Sequence, residues 1–180
     1  GFLECGAAWA CNLYAELVGH WEKRNLEAMQ YVDPANLDRE ALMGYVAEYG
    51  DARTKKNIDK VREHFNRPQI PLPDKDDFHK TGMQSAKEVE GLFIPRFYIG
   101  CEADDRSVAW AFNTKVNPYG AKIRALFGSD IGHWDVPDMT DVLAEAYEQV
   151  EKKLITDDDF RDFSFANAVR LHGGMNPRFF

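Results

Sequence analysis

The segment Phe127-Gly128-Ser129-Asp130 constrains the fold of this chain most, because it joins a short apolar run to a polar turn. Residues 123–127 have the length and apolar character of a buried strand, and the Gly-Ser-Asp that follows ends it. Polar side chains at the carboxyl ends of parallel strands occupy the functional edge of a sheet. We therefore expect Asp130 to lie at the chemical face of an α/β protein. A plain turn or helix-cap role for Asp130 is the structural alternative.

Two further strand ends carry acidic residues. Residues 92–100 predict a strand that runs into Glu102, and Gly1 to Glu4 resemble the last residues of another strand. Helices are expected between and after the strands, at about 11–30, 37–49, 54–65, 105–113, 138–154 and from a Thr156 cap onward. This alternation predicts parallel strands with helical crossovers, in a single domain covering residues 1–180. The proline-containing segment 66–82 is predicted to be irregular.

The composition narrows the class of partner. The 180-residue chain carries a net charge of −8, with a pI of about 5.1. That balance argues against nucleic acid, which needs a basic surface. No apolar run approaches the roughly 20 residues of a membrane span, so no membrane partner is expected. Cys5, Cys11 and Cys101 lack metal-ligand spacing and indicate reduced thiols in the cytoplasm.

The acids at the three strand ends are the candidate functional residues. Glu4, Glu102 and Asp130 would converge at the edge formed by the carboxyl ends of the strands, and His133 follows Asp130 by three positions. Converging carboxylates suit divalent-metal ligation or general acid–base catalysis. For Glu102 and its acidic neighbours, solvated loop acids are the alternative interpretation.

Several motifs resemble the amidohydrolase-related, metal-dependent hydrolases. The resemblance lies in Phe127-Gly128-Ser129-Asp130, in the segment Asn167-Ala168-Val169-Arg170-Leu171-His172-Gly173 with Asn176-Pro177, and in Glu4-Cys5-Gly6-Ala7-Ala8-Trp9. It implies the C-terminal part of a (β/α)8 TIM barrel, about strands six to eight. The chain opens with Gly1 in mid-pattern, so we expect a longer protein upstream, with this part alone inactive.

The resemblance also implies roles for particular residues. Asp130 matches the family's aspartate that ligates the metal and accepts a proton from the attacking water. The implied cofactor is a divalent metal, foremost Zn²⁺, and the implied substrate is a small molecule. Glu4, Glu102, His133 and Trp134 would line the substrate site. Some relatives instead decarboxylate small carboxylic acids with the same metal and aspartate, and the sequence leaves both reactions open.

A non-catalytic protein is the main alternative hypothesis. An incomplete barrel leaves open sheet edges and an uncovered apolar interior, so we expect such a chain to self-associate into a homo-oligomer. A third possibility is a doubly wound domain with an unrelated acid-lined site, without the glycine-rich loop that nucleotide binding needs.

Overall fold

Helix dominates the computed structural model, which describes residues 1–68 and 75–180. Numbered along the chain, the helices discussed below are α1 (Ala8–Arg24), α2 (Leu26–Met29), α3 (Arg39–Tyr49), α4 (Ala52–Lys56), α5 (Ile58–Phe65), α6 (Lys87–Phe93), α7 (Val108–Ala111), α8 (Val142–Glu151), α9 (Asp157–Arg161) and α10 (Asn167–Met175). The strands of the described residues are β1 (Tyr98–Cys101) and β2 (Arg124–Phe127).

The chain divides into two compact units. The first unit comprises residues 1–20 and 84–180, and the second comprises residues 21–83. In the second unit, helices α2 to α5 are short and mostly exposed, and Arg39 Nε donates to the carbonyl oxygen of Phe65 at 2.9 Å. Of the segment 66–82, residues 69–74 lie outside the described residues, and His79–Thr81 forms a single 3-10 turn. No helix in the described ranges has the length and apolar character needed to cross a bilayer.

The strands of the first unit run in parallel. β1 pairs with β2 in the register Tyr98↔Arg124 to Cys101↔Phe127, and α7 lies in the connection between them. On the other side of β1, Phe2 forms an isolated parallel bridge with Ile99. The predicted parallel pairing with a helical crossover is therefore confirmed. Because all three segments point the same way, the residues that follow them lie at one edge.

Close approach of the N-terminal segment to β1 depends on a glycine. A Cβ atom at Gly100 would come within 2.9 Å of the Cα atom of Leu3, closer than real Cβ atoms lie to other atoms. The absence of a side chain there lets the amide of Gly100 donate to the carbonyl oxygen of Phe2 at 2.7 Å.

The prediction that this chain is the C-terminal part of a TIM barrel is wrong. The described residues contain two four-residue strands and one isolated bridge, and their other regular elements are helices. A barrel of that type alternates strand and helix around a closed sheet of eight strands. Part of the segment predicted as a strand, 92–100, belongs to α6, where Val89 and Phe93 are buried one helical turn apart.

Two polar groups fix β2 against the C-terminal helices. Asn167, at the start of α10, donates from Nδ2 to the carbonyl oxygen of Ala125 in β2 at 2.9 Å. The predicted Thr156 cap is confirmed as a capping box with Asp159, and Asp159 also pairs with Lys122 at 2.6 Å, just before β2. These contacts hold the strand whose end carries Asp130.

Candidate functional site

The acids predicted to converge at the strand ends lie at one edge of the first unit. Glu4 follows the bridge at Phe2, Glu102 follows β1, and Asp130 lies three residues beyond the end of β2. Glu4 and Asp130 both adopt left-handed backbone conformations, with φ of 56° and 50°. Non-glycine residues in that region are uncommon and are concentrated at functional sites.

A tight loop brings Asp130 together with two further potential ligands. The amide of His133 donates to the carbonyl oxygen of Asp130 at 3.2 Å, and the amide of Val136 donates to that of His133 at 3.3 Å. Gly132, with φ of 106°, allows the reversal between them. The loop places one ligand atom each of Asp130, His133 and Asp135 within 4.8 Å of one another. We call these three residues the Asp130 cluster.

The side chains of the Asp130 cluster are accessible to solvent. His133 Nδ1 lies 3.0 Å from Asp130 Oδ2, and the two side chains are 59% and 19% exposed. Asp135 is also exposed. One nitrogen and two carboxylate ligands leave room for water or substrate, as in catalytic metal sites with three protein ligands. The donor set suits Zn²⁺ and other transition metals better than an all-oxygen ion such as Ca²⁺.

A strongly acidic cavity of about 370 Å³ adjoins the Asp130 cluster. We call it the cluster cavity, and none of the described residues that line it is basic. Eight carboxylates line it: Glu102, Asp104, Asp130, Asp135, Asp138, Asp141, Glu145 and Glu148. Such a concentration of one sign of charge attracts cations and repels anions.

Glu102 differs from the other acids of this cavity in the direction of its shift, because its pKa is raised whereas the pKa values of Asp138 and Glu148 are lowered by hydrogen bonds from Thr140 and Lys152. Partial removal of solvent, followed by the negative charges of Asp130, Asp104, Asp135 and Glu4, raises the pKa of Glu102 above its ordinary value. Glu102 therefore keeps its proton to a higher pH than a free glutamate does. A raised carboxyl pKa in a cavity is typical of a general acid.

Two residues predicted to line the substrate site lie elsewhere on this edge. Glu4 lines an apolar groove of about 550 Å³, which also contains Leu126, Phe127 and Leu171 and which touches Glu102 and Asp130. Trp134 projects outward, with 93% of its surface exposed. The structure thus joins Asp130 with His133 in the cluster and with Glu102 in the cluster cavity. Glu4 meets these acids only in the neighbouring apolar groove, and Trp134 faces solvent.

Asp135 is the cluster residue that sequence reasoning missed. Attention to strand ends selects Asp130, whereas Asp135 lies five positions further along an exposed loop. The signal that could have found it is the spacing Asp-x-x-His-x-Asp around Gly132, where a reversal can bring three donors of a short loop to one point.

Comparison with known proteins gives no match for this chain among protein-family models, curated proteins or solved structures.

Proposed function

We propose that this chain binds a divalent cation, foremost Zn²⁺, through the Asp130 cluster and hydrolyses a small-molecule substrate beside it. This is the activity that the amidohydrolase resemblance implies. The proposal rests on the cluster and the cavity next to it, and not on a barrel.

The observation that carries the proposal is the convergence of Asp130, His133 and Asp135 within 4.8 Å at the edge of the parallel strands. Metal–ligand bonds of about 2.0–2.2 Å require only small side-chain adjustments from such a starting point. When bound, such an ion polarises a substrate carbonyl and lowers the pKa of water.

The protein supplies two carboxyl groups with different roles. Asp130 is partly buried at the cluster and is the group that accepts a proton from an attacking water. Glu102, whose pKa is raised, lines the same cavity and delivers a proton to the leaving group. A carboxyl group with a raised pKa is suited to the role of proton donor.

The charge of the cluster cavity favours hydrolysis over decarboxylation. A substrate that carries its own carboxylate would enter a space lined by eight carboxylates, and like charges at short range repel strongly. A neutral or cationic amide or ester meets no such barrier.

The free thiols Cys5, Cys11 and Cys101 support a reducing compartment, and we propose the cytoplasm.

Zinc titration of metal-free protein tests this function. We expect one Zn²⁺ per chain by calorimetry and by metal analysis after dialysis, with binding weakened by Asp135→Asn. Asp141→Asn is the matched control, because it removes the same charge from the same cavity outside the cluster. Equal loss of zinc affinity in both variants would mean that general charge, and not ligation, holds the ion.

Self-association without catalysis is a second candidate, and the apolar groove favours it. Leu3 lines this groove and is 67% exposed, and Leu126 and Leu171 form part of its wall. A second copy of the chain covering the groove would bury this surface. Light scattering over a range of concentrations tests the idea, and a monomer at all concentrations would contradict it.

A further inference from the structure

The apolar groove is lined by the N-terminal segment, the ends of β1 and β2, and α10. Its apolar side chains include Leu3, Leu126, Phe127, Ala168 and Leu171. Ala168 and Leu171 are three positions apart on α10, so they share one face of that helix. The volume of about 550 Å³ falls within the range of small-molecule pockets, roughly 300–1,000 Å³.

The apolar groove adjoins the cluster cavity at two residues. Glu102 and Asp130 line both spaces. They are also the two carboxyl groups that carry protons in the proposed hydrolysis. A molecule whose apolar part fills the groove can therefore place its polar end at the groups that react.

Acidic side chains determine which polar end this groove accepts. Glu4 lines it together with Glu102 and Asp130, and the charges of Glu4 and Asp130 both help to raise the pKa of Glu102. Three carboxylates outweigh the imidazole of His172, which also lines the groove and stacks on Phe179. An anionic head group would be repelled here, whereas a neutral amide would not.

A small molecule fits the groove better than a twofold-related second copy of the chain does. Two copies related by a twofold axis bring the same surface of each together. Two facing grooves would leave a space between their concave surfaces. They would also set Glu4, Glu102 and Asp130 of one copy against the same acids of the other, and like charges facing each other are destabilising.

The two adjoining spaces match the two halves of an amide. In hydrolysis, the hydroxyl of water is added to the carbonyl carbon, its other proton goes to Asp130, and the C–N bond breaks as the nitrogen takes the proton of Glu102. At neutral pH the products are a carboxylate and an ammonium ion, and Asp130 and Glu102 recover their protonation states by exchange with solvent. The cluster cavity attracts cations and suits the nitrogen half, which leaves the apolar groove for the acyl chain.

We propose that the apolar groove binds the acyl chain of the substrate, and that the substrate is an amine acylated with an apolar chain. The identity of the substrate rests on the proposed function. Binding of the chain in the groove requires neither the metal nor turnover. The carboxylate product, held beside three acids, is repelled and released.

Titration of the full chain with a series of primary amides tests the groove. Acetamide, butanamide and hexanamide differ only in chain length, and ligand-observed NMR gives their Kd values with chelator-treated protein. Each two methylene groups added in the groove should lower the Kd about tenfold. Hexanoate has the same chain with an anionic head group, and we expect it to bind at least about tenfold more weakly than hexanamide.

Filling the groove should prevent this binding. Ala168→Trp puts a large side chain on the face of α10 that lines the groove, and it should raise the hexanamide Kd at least about tenfold. Ala144→Trp, at an exposed position of α8, is the matched control and should leave the Kd unchanged. Glu4→Gln should strengthen hexanoate binding without changing that of hexanamide. Because Glu4 is exposed, this variant tests the groove even if Ala168→Trp does not fold.

Four results would overturn the acyl subsite: no binding of hexanamide, a Kd that does not depend on chain length, equal effects of Ala168→Trp and Ala144→Trp, or hexanoate binding unchanged by Glu4→Gln. A dimer that Ala168→Trp converts to a monomer, with no hexanamide binding, would assign the groove to a second copy instead. Zinc titration separates the two proposals. Hexanamide binding without zinc binding would contradict the metal site alone, and zinc binding without hexanamide binding would contradict the acyl subsite alone.

Discussion

His133 Nδ1 and Asp130 Oδ2 lie 3.0 Å apart, because the loop that contains both residues reverses its direction between them. A carboxylate oxygen of Asp135 lies close to both, and the three potential ligand atoms are within 4.8 Å of one another. The His133 side chain is largely exposed, so its contact with Asp130 contributes little stability by itself. The zinc site proposed above would use all three groups.

Removing one member of the Asp130 cluster should weaken zinc binding without unfolding the protein. We expect His133→Ala to raise the zinc Kd at least about tenfold, because one of three protein ligands is lost. Calorimetry gives the Kd, and circular dichroism checks the fold. A Kd within twofold of wild type would exclude His133 as a ligand.

The left-handed backbone of Asp130 should make this position prefer glycine over alanine. With φ of 50°, a Cβ atom costs about 1 kcal/mol that glycine avoids. We expect Asp130→Gly to be about 1 kcal/mol more stable than Asp130→Ala in urea unfolding. At Asp135, which lacks a positive φ, glycine should be the less stable of the two. The same order at both positions would contradict the backbone explanation.

Asp159 should make the fold sensitive to acid. Burial alone would raise the pKa of Asp159, but hydrogen bonds from Lys122 and Thr156 outweigh burial and hold the pKa below its ordinary value. A lowered carboxyl pKa in the folded state stabilises the protein above the unfolded pKa of about 4. That stabilisation is lost as the pH falls through the folded pKa.

Asp159→Asn should therefore reduce the free energy of unfolding at pH 7 and flatten its decline below about pH 5. Urea unfolding at several pH values measures both effects. Asp158→Asn, which changes the exposed residue directly before Asp159, is the control. Parallel pH profiles for wild type and Asp159→Asn would refute the role of this carboxylate.

Removal of the Asn167 side-chain amide should weaken the contact between α10 and β2 and lower the free energy of unfolding. Its Nδ2 donates to Ala125 and its Oδ1 accepts from Arg170 Nη1 at 2.7 Å, with the residue buried. We expect Asn167→Ala to cost about 1–3 kcal/mol, because a buried carbonyl oxygen loses its partner. Thr156→Ala, which removes a helix cap, should cost about 1 kcal/mol and gives a scale for comparison. Both values come from urea unfolding.

The three thiols should react at different rates. Burial raises the pKa of Cys11 to about 11, and burial together with the charge of Asp105 raises the pKa of Cys101 further. Cys5 is exposed. Because the thiolate is the reactive form, we expect one fast equivalent with an aromatic disulfide reagent at pH 8 and the other two only after unfolding. Cys5→Ser should remove the fast phase.

Local patterns predicted local features correctly. The apolar run ending in Gly-Ser-Asp gave β2 and a turn at Asp130, and the Thr156 cap formed with Asp159 in the first turn of α9. Both depend on interactions between residues a few positions apart. Sequence periodicity and capping preferences report such interactions directly.

The prediction of a TIM barrel was wrong because a closed barrel depends on the number of strands in the sheet, and short motifs carry no information about that number. Similarity around Asp130 and Asn167 describes one strand end and one helix, and neither determines the number of strands in the sheet. Only the end of the predicted strand at 92–100 forms β1. Its first residues belong to α6 instead, since Val89 and Phe93 bury one helix face and Pro95 follows the end of α6. Asp135 was missed because its partners come together only through the loop reversal at Gly132.

The pairing of Phe2 with Ile99 also bears on the order of folding. β1 and β2 are joined by a connection that contains α7 and a 3-10 turn at Pro118–Gly120, whereas Phe2 and Ile99 are separated by more than half of the chain. Closing the longer connection costs more chain entropy and is slower. We expect the β1–β2 pair to form early and the N-terminal segment to dock late. Glu102 and Asp130 would then meet before Glu4 arrives, so this edge is complete only once the N-terminal segment has docked.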